Sequence, residues 1–252
     1  MWVGGGNADV RALQQRKAML GATQRLVVAT GIASIWAWSP DVLAARTAEI
    51  DRAHPGRFVL GLGVAHAPAV QAMGLEYSHP VATMRAFLDD LDGAANGSAP
   101  AERVLAALGP LMLALARDRS AGAHPYLVTP EHSSLARRIL GPGPVLAPEQ
   151  AVVVDRDPAH ARRVAREYLG TYLTLSNYLA NFRRLGFDEN DLAGGGSDRL
   201  VDALVAWGDA ATVAKRVQAH LDAGADHVNI QPLSEGRSID FDGLGQVVEA
   251  LG

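Results

Sequence analysis

At 252 residues, 48% of them hydrophobic and none a cysteine, the chain can bury a sizeable core but has no disulfide, thiolate metal site or cysteine nucleophile. A net charge of −4, with no Lys/Arg-rich run, argues against a general nucleic-acid or anionic-membrane binder. No stretch reaches the roughly 18 continuous apolar residues that span a bilayer, and the first seven residues lack a secretory signal's basic and apolar regions, so the expected location is the cytoplasm.

Along the chain, short apolar runs alternate with amphipathic stretches, the pattern of repeated β-α units around a parallel sheet. Strands are expected at Trp2-Val3, Leu26 to Ala33, Phe58 to Val64, Val104 to Leu108, Ala123 to Val128, Ala151 to Val154 and His227 to Ile230. Most are continuous apolar runs, as parallel strands covered on both faces are. That makes seven strands, where a closed (β/α)8 barrel needs eight. Asp92 to Ala101, rich in Gly, Asn, Ser and Pro, reads as a solvated insertion. An apolar stripe predicts one helix from Pro158 to Phe182, with Asp157 as N-cap and Pro158 at its first position. The glycine-rich Phe187 to Asp198 reads as a surface linker or a mobile lid. A helix from Asp209 through Leu221 stops at Gly224, and a strand follows at once.

Four glycine-bearing segments fall at the C-terminal ends of expected strands, where barrel active sites are built. They are Ala29 to Ala33, Phe58 to His66, Leu105 to Pro110 and Ala121 to His132. Glycine there either turns a tight corner or lets a planar ligand approach the main chain. Gly61-x-Gly63 is only a fragment of a dinucleotide fingerprint. Gly109-Pro110 and Thr129-Pro130 each start a helix with outward N–H groups that attract phosphate, although Glu131 would compete for the same dipole. His66 and His124 lie near strand ends, and His132 in the first turn of a helix; His66 is the acid/base candidate by position. His54 reads as a loop cap, and His160 and His220 as helix surface or packing residues. No metal-ligand spacing, nucleophile elbow or phosphate-binding P-loop is present. Glu131 and Glu149 are the obvious carboxylates near the expected mouth.

The runs Arg25 to Ile32 and Arg57 to Val64 resemble the third and fourth strands of the luciferase-like monooxygenase superfamily. Val104 to Gly109, Asp118 to His132 and Gly224 to Ile230 resemble its later strands, closest to the branch using the deazaflavin coenzyme F420. The resemblance implies an α/β fold, a (β/α)8 TIM barrel of the bacterial luciferase-like type, over a single domain of residues 1–252. It implies an oxidoreductase that passes hydride between the deazaflavin and a small organic substrate, and a homodimer, for which the Pro158 to Phe182 helix could serve. It further implies a cis peptide at Gly31-Ile32 behind the cofactor ring, with Gly61, Gly63 and His66 along the ring and ribityl chain. Gly109, Val128, Thr129, Pro130 and Glu131 would flank that chain and its phosphate. The family's first strand and helix, which precede the segment matching Trp2-Val3-Gly4, have no counterpart here. Gly5-Gly6-Asn7 stands where relatives often carry an acidic or histidine residue, so one pocket wall and its proton donor are expected to be lost or replaced. An FMN-dependent monooxygenase and a non-catalytic cofactor-binding paralogue are the alternatives on the same scaffold.

Overall fold

The structure is a computed structural model and describes residues 1–4, 10–94, 102–237 and 239–252. Gly5-Gly6-Asn7 and most of the Asp92 to Ala101 insertion lie outside the described residues. The chain divides into two compact units, Met1–His124 with Leu140–Pro144, and Pro125–Ile139 with Val145–Gly252.

The first unit carries β1 (Trp2–Val3), α1 (Val10–Gly21), β2 (Val28–Thr30), β3 (Ala33–Ser34), α2 (Pro40–Ala53) and β4 (Phe58–Gly63). It continues with α3 (Ala67–Gln71), α4 (Pro80–Gly93), β5 (Arg103–Leu105), α5 (Pro110–Arg119) and β6 (Gly122–Ala123). Its strands run parallel in the order β1-β2-β4-β5-β6, with β3 beside the end of β4. Continuous apolar strands are what such a sheet requires, and Val28, Leu60, Leu62 and Leu105 are fully buried. Leu43, Leu88, Leu91 and Leu113 on the helices are buried with them. β2 and β4 pack closely because Gly61 has no side chain: a Cβ there would lie 2.0 Å from the Thr30 carbonyl oxygen. The Thr30 hydroxyl donates to the Gly61 carbonyl at 2.8 Å, locking the same register. At the start of β5, the wholly buried Arg103 pairs with Asp92 at 2.6 Å and donates to the Arg119 carbonyl.

The second unit carries α6 (Pro130–Leu140, whose last residue groups with the first unit), β7 (Val145–Leu146) and β8 (Glu149–Val154). Then come α7 (Pro158–Tyr172), α8 (Ser176–Arg184), α9 (Glu189–Leu192), α10 (Asp198–Leu204) and β9 (Val205–Gly208). It ends with α11 (Ala210–Asp222), β10 (Asn229–Pro232) and α12 (Phe241–Leu251). β8 lies between β10 and β9, all parallel. Val152, Ala206, Val213 and Val247 form a core between this sheet and its helices. No helix among the described residues is long and apolar enough to cross a membrane.

Both helix signals read from the sequence are present. Asp157 accepts from the Ala159 N–H ahead of α7, and Asp209 accepts from the Thr212 N–H ahead of α11. The chain after α11 turns at Gly224, whose φ of 99° suits glycine. We expect Asp209→Ala to lower unfolding free energy by about 1 kcal/mol, the usual effect of losing an N-cap, measured by urea denaturation. An unchanged midpoint would show that the cap bond contributes nothing.

Several elements differ from expectation, among them the strand expected from Ala123 to Val128, which is Gly122–Ala123 alone. The strand Val205–Gly208 is not among the seven expected; it follows α10 with no turn residue between them. The single helix expected from Pro158 to Phe182 is two, because the chain leaves α7 after Tyr172 and the Thr174 hydroxyl turns back onto the Thr171 carbonyl. The glycine-rich Phe187 to Asp198 is built rather than loose. Asp188 and Asp191 form a capping box on α9, Ser197 donates to Asp191, and Arg199 pairs with Asp191 and donates to the Gly186 carbonyl.

Candidate active site

Parallel strands end together at one edge, and in the first unit that edge is made of small residues. Gly31 N–H donates to the Val3 carbonyl and Ala106 N–H to the Leu62 carbonyl, so the ladders run on just past the strand ends. There the chain reads Gly4, Gly31-Ile32, Val64-Ala65-His66 and Ala106, all at least partly exposed, whereas β2, β5 and all of β4 but Val59 are buried. No bulky side chain comes from Gly4, Gly31, Ala65 or Ala106, and a planar group could meet the main chain there. The Gly31–Ile32 peptide is cis, as the resemblance implies.

The two glycines of β4 differ in what they make room for. Gly61 admits the Thr30 carbonyl and the Trp2 ring, whose nearest carbon would be 3.2 Å from a Cβ. At Gly63 a Cβ would lie 2.7 Å from the Ile32 side chain, so this glycine seats the residue after the cis peptide. Close approach at both positions is therefore to the chain's own atoms. Gly109 is the N-cap of α5, with Pro110 in its first turn.

His66 is the N-cap residue of α3, partly exposed, with its Nδ1 buried. Just before it, Ala65 takes a positive φ of 51° and the Val64 carbonyl accepts the Trp36 indole N–H at 2.8 Å. Trp36 in turn contacts the Tyr77 ring, so two aromatic residues that sequence reasoning passed over fix the chain around His66. His124 has a different role. It is 3% exposed and stacked on Trp2 with ring centroids 3.8 Å apart, which is packing. Arg16 is another residue not anticipated: its buried guanidinium donates to the Val3 and Gly4 carbonyls and closes the end of β1.

The second unit holds Val128, Thr129, Pro130 and Glu131. Val128 and Thr129 are buried, Pro130 begins α6, and Glu131 is exposed in its first turn. The Thr129 hydroxyl, and then Glu131's own backbone N–H, hold the Glu131 carboxyl below the usual carboxylate range. This is the competition with an anion that the helix dipole predicts. Behind the turn, Leu127 has a φ of 56° and its N–H donates to Glu149 Oε2 at 2.8 Å. Glu149 is wholly buried, and burial pushes its carboxyl up to about 8. Beside it runs a chain of hydroxyls: Tyr168 donates to Tyr126, and Tyr126 donates to Gln231 Oε1, at 2.8 and 2.7 Å. Tyr172 and Tyr178 extend the cluster edge to face. No spacing in the sequence signals it, because Tyr126 precedes α6 while Glu149, Tyr168 and Gln231 belong to β8, α7 and β10.

Four other histidines have identifiable places. His220 is buried between the Ser133 hydroxyl at Nδ1 and Gln150 Oε1 at Nε2. The Gln150 amide NH2 is spent on the Ala151 and Leu204 carbonyls, so its Oε1 accepts and His220 is protonated at Nε2. Burial, then Arg216, pushes His220 down to about 4, so the ring stays neutral. His160 meets Asp155 at 2.5 Å and Glu235 at 3.3 Å, so it is held between two carboxylates rather than being a plain surface residue. His132 is buried on α6, and His54 is the C-cap of α2. Among the described residues, no cluster of three or more His, Asp or Glu side chains is placed to hold a metal ion.

Known proteins resemble this chain at the level of family and fold. A family model described as luciferase-like monooxygenase matches residues 2–227. No curated protein sequence matches. An F420-dependent secondary alcohol dehydrogenase, solved with an F420–acetone adduct, is similar over 100% of this chain and 89% of its own, at 16% identity and a TM-score of 0.67. The coenzyme F420-dependent tetrahydromethanopterin reductase of Methanopyrus kandleri is similar over 92% of this chain and 84% of its own, at 16% identity and 0.66. The oxygenating constituent of 3,6-diketocamphane monooxygenase from Pseudomonas putida, solved with FMN, is similar over 100% and 87%, at 13% identity and 0.70. At such identities the likeness is one of fold.

Proposed function

Since the chain belongs to the luciferase-like monooxygenase family, whose model spans residues 2–227, we propose that it is an oxidoreductase using the deazaflavin coenzyme F420 on a small organic substrate. One observation carries this reading: the strand ends of the first unit form a partly exposed rim of small residues, Gly4, Gly31, Ala65 and Ala106, which suits the face of a planar ring. When bound, the deazaflavin supplies a hydride to, or takes one from, the substrate carbon; the protein supplies position and polarity. Gly31, Ile32, Gly61, Gly63 and Gly109 are assigned to the ring and its chain in the first unit. Ile32, seated by Gly63, would back the ring.

Val128, Thr129, Pro130 and Glu131 in the second unit are assigned to the phosphate-bearing side chain. An anion there would meet the Glu131 carboxylate in the first turn of α6. His66 is the proposed acid/base residue. Its Nδ1 is buried, so the proton would be held and passed at Nε2. The same reading takes residues 1–252 as one barrel domain, acting as a homodimer in the cytoplasm.

Paired fluorescence titrations with coenzyme F420 and FMN test the cofactor. Micromolar binding of the deazaflavin with none of FMN is expected. A preference for FMN would move the protein to the oxygen-using members of the family, represented by the FMN-bound camphane monooxygenase component. Binding of neither would overturn both cofactor readings and point to a degenerate barrel. Once a substrate is found, His66→Ala should lower kcat by 10²-fold or more with little change in cofactor affinity. Undiminished turnover would remove His66 from the mechanism.

A further inference from the structure

The chain entering α6 is held by one carboxyl. Leu127 is fully buried and sits in left-handed backbone, φ 56°, which a branched side chain rarely adopts. Its N–H finds no main-chain acceptor; Glu149 Oε2 takes it at 2.8 Å. Glu149 is itself anchored, its own N–H donating to the Pro125 carbonyl at 2.8 Å and its position on β8 lying opposite Asn229 of β10. Residues 125 and 127 are thus tied to residue 149 by one main-chain and one side-chain bond. A carboxyl of zero exposure is costly to bury, and its Oε1 has no hydrogen-bond partner among the described residues. Packing alone would be better served by leucine.

We infer that Glu149 is a positioning residue: its carboxyl locks Leu127 in left-handed geometry and so sets the Val128–Thr129–Pro130 turn assigned above to the cofactor's phosphate-bearing chain. The inference rests on that assignment for its functional meaning, but not for its structural content. A non-glycine residue in this conformation persists only where its surroundings over-determine it, and the buried acceptor does so here. Near neutrality the proton rests on Oε1 while Oε2 accepts the Leu127 N–H. The ionisable groups facing the carboxyl are Tyr126 in the same segment, Tyr168 on α7 and Tyr178 on α8, with Tyr172 against Tyr126. Burial raises Tyr126, Tyr168 and Tyr178 further above the usual phenol range. Of these groups Glu149 is the one that loses its proton first as pH rises, bringing a negative charge to the acceptor of the Leu127 N–H, and Leu127 stands two residues before Thr129.

Three variants separate positioning from packing. Glu149→Gln keeps an acceptor for Leu127, Glu149→Leu removes it, and Leu127→Gly added to Glu149→Leu removes the need for it, because glycine adopts positive φ freely. The first readout uses protein without cofactor: exchange of the Leu127 amide hydrogen should be slow in wild type and Glu149→Gln and at least 100-fold faster in Glu149→Leu. The second is affinity for coenzyme F420 and for FMN. Whichever binds should bind Glu149→Gln within about threefold of wild type and Glu149→Leu at least tenfold more weakly, with most of the loss recovered in the double variant. Wild-type affinity should fall as pH passes about 8, and that of Glu149→Gln should not. If Glu149→Leu does not fold but the double variant does, the coupling is shown by folding itself. Slow Leu127 exchange or undiminished binding in Glu149→Leu, or a double variant no better than the single one, would overturn the inference. If wild type binds neither cofactor, the proposed function fails while amide exchange still decides the role of Glu149.

Discussion

Gly61→Ala is expected to lower the unfolding free energy by on the order of 3 kcal/mol or more, enough to leave the protein marginal or insoluble. The Cβ would lie 2.0 Å from the Thr30 carbonyl oxygen and 3.2 Å from its carbon, and neither atom can rotate away. Relief requires β2 and β4 to part, and that breaks the Thr30 hydroxyl bond to the Gly61 carbonyl and the parallel register Val28↔Phe58, Ala29↔Val59. Gly63→Ala is the matched control. Its Cβ meets the end of the Ile32 side chain at 2.7 Å, and a rotamer change can relieve much of that. Gly63→Ala should therefore fold, lose about 1–2 kcal/mol and show its larger effect on cofactor affinity through displaced Ile32. Urea denaturation of both variants decides the point: Gly61→Ala within about 1 kcal/mol of wild type would mean that this strand pair is not as tight as the geometry requires.

Glu149→Gln should change how stability depends on pH more than it changes stability at any one pH. The carboxyl lies at about 8 in the folded chain, against about 4.3 for an unperturbed glutamate. Between those values the folded state binds the proton and the unfolded state does not, so unfolding free energy falls as pH rises. The contribution of the neutral acid is fully present below about pH 4 and is lost progressively up to about pH 8. One pH unit corresponds to about 1.4 kcal/mol, so roughly 3 kcal/mol should disappear between pH 5 and pH 8 in wild type. Glutamine has no proton to lose. Its NH2 lacks an acceptor where Oε1 now lies, a penalty of about 1–3 kcal/mol that is the same at every pH. The stability difference between variant and wild type, followed from pH 5 to 8, should therefore shift in favour of Glu149→Gln by roughly 3 kcal/mol. Parallel curves would mean that Glu149 is hydrated or paired in solution.

The parts of the fold that sequence revealed are those with local causes. Asp157-Pro158 and Asp209 cap helices through their own side chains, and Gly224 turns the chain where only a few residues decide the angle. Continuous apolar runs such as Phe58 to Gly63 identify buried parallel strands for the same reason. Val205–Gly208 was hidden because its pairing with β8, 54 residues away for Ala151↔Val205, is what makes it a strand, and nothing local opposes helix. The candidate site divides likewise. Glycines and His66 at strand ends are visible because the strands are. That His124 is spent on stacking with Trp2, that Gly61 accommodates a carbonyl, and that Glu149 holds Leu127 are long-range facts without a sequence signature. The resemblance to a known family named the scaffold, but not these assignments.

The four indoles are unevenly shared: Trp2, Trp36 and Trp38 lie in the first compact unit and Trp207 in the second. Trp207 donates to Asp202 at 2.7 Å and lies beneath the Arg162 guanidinium, at 5.3 Å from its ring centroid. It is therefore an emitter with a defined polar environment, lost when α7, α10 and β9 come apart. A variant with Trp2, Trp36 and Trp38 changed to phenylalanine would report by fluorescence on residues 125–139 and 145–252 alone. The reciprocal Trp207→Phe variant would report on the other half. Coincident melting curves would mean one cooperative transition, and separated curves would resolve two.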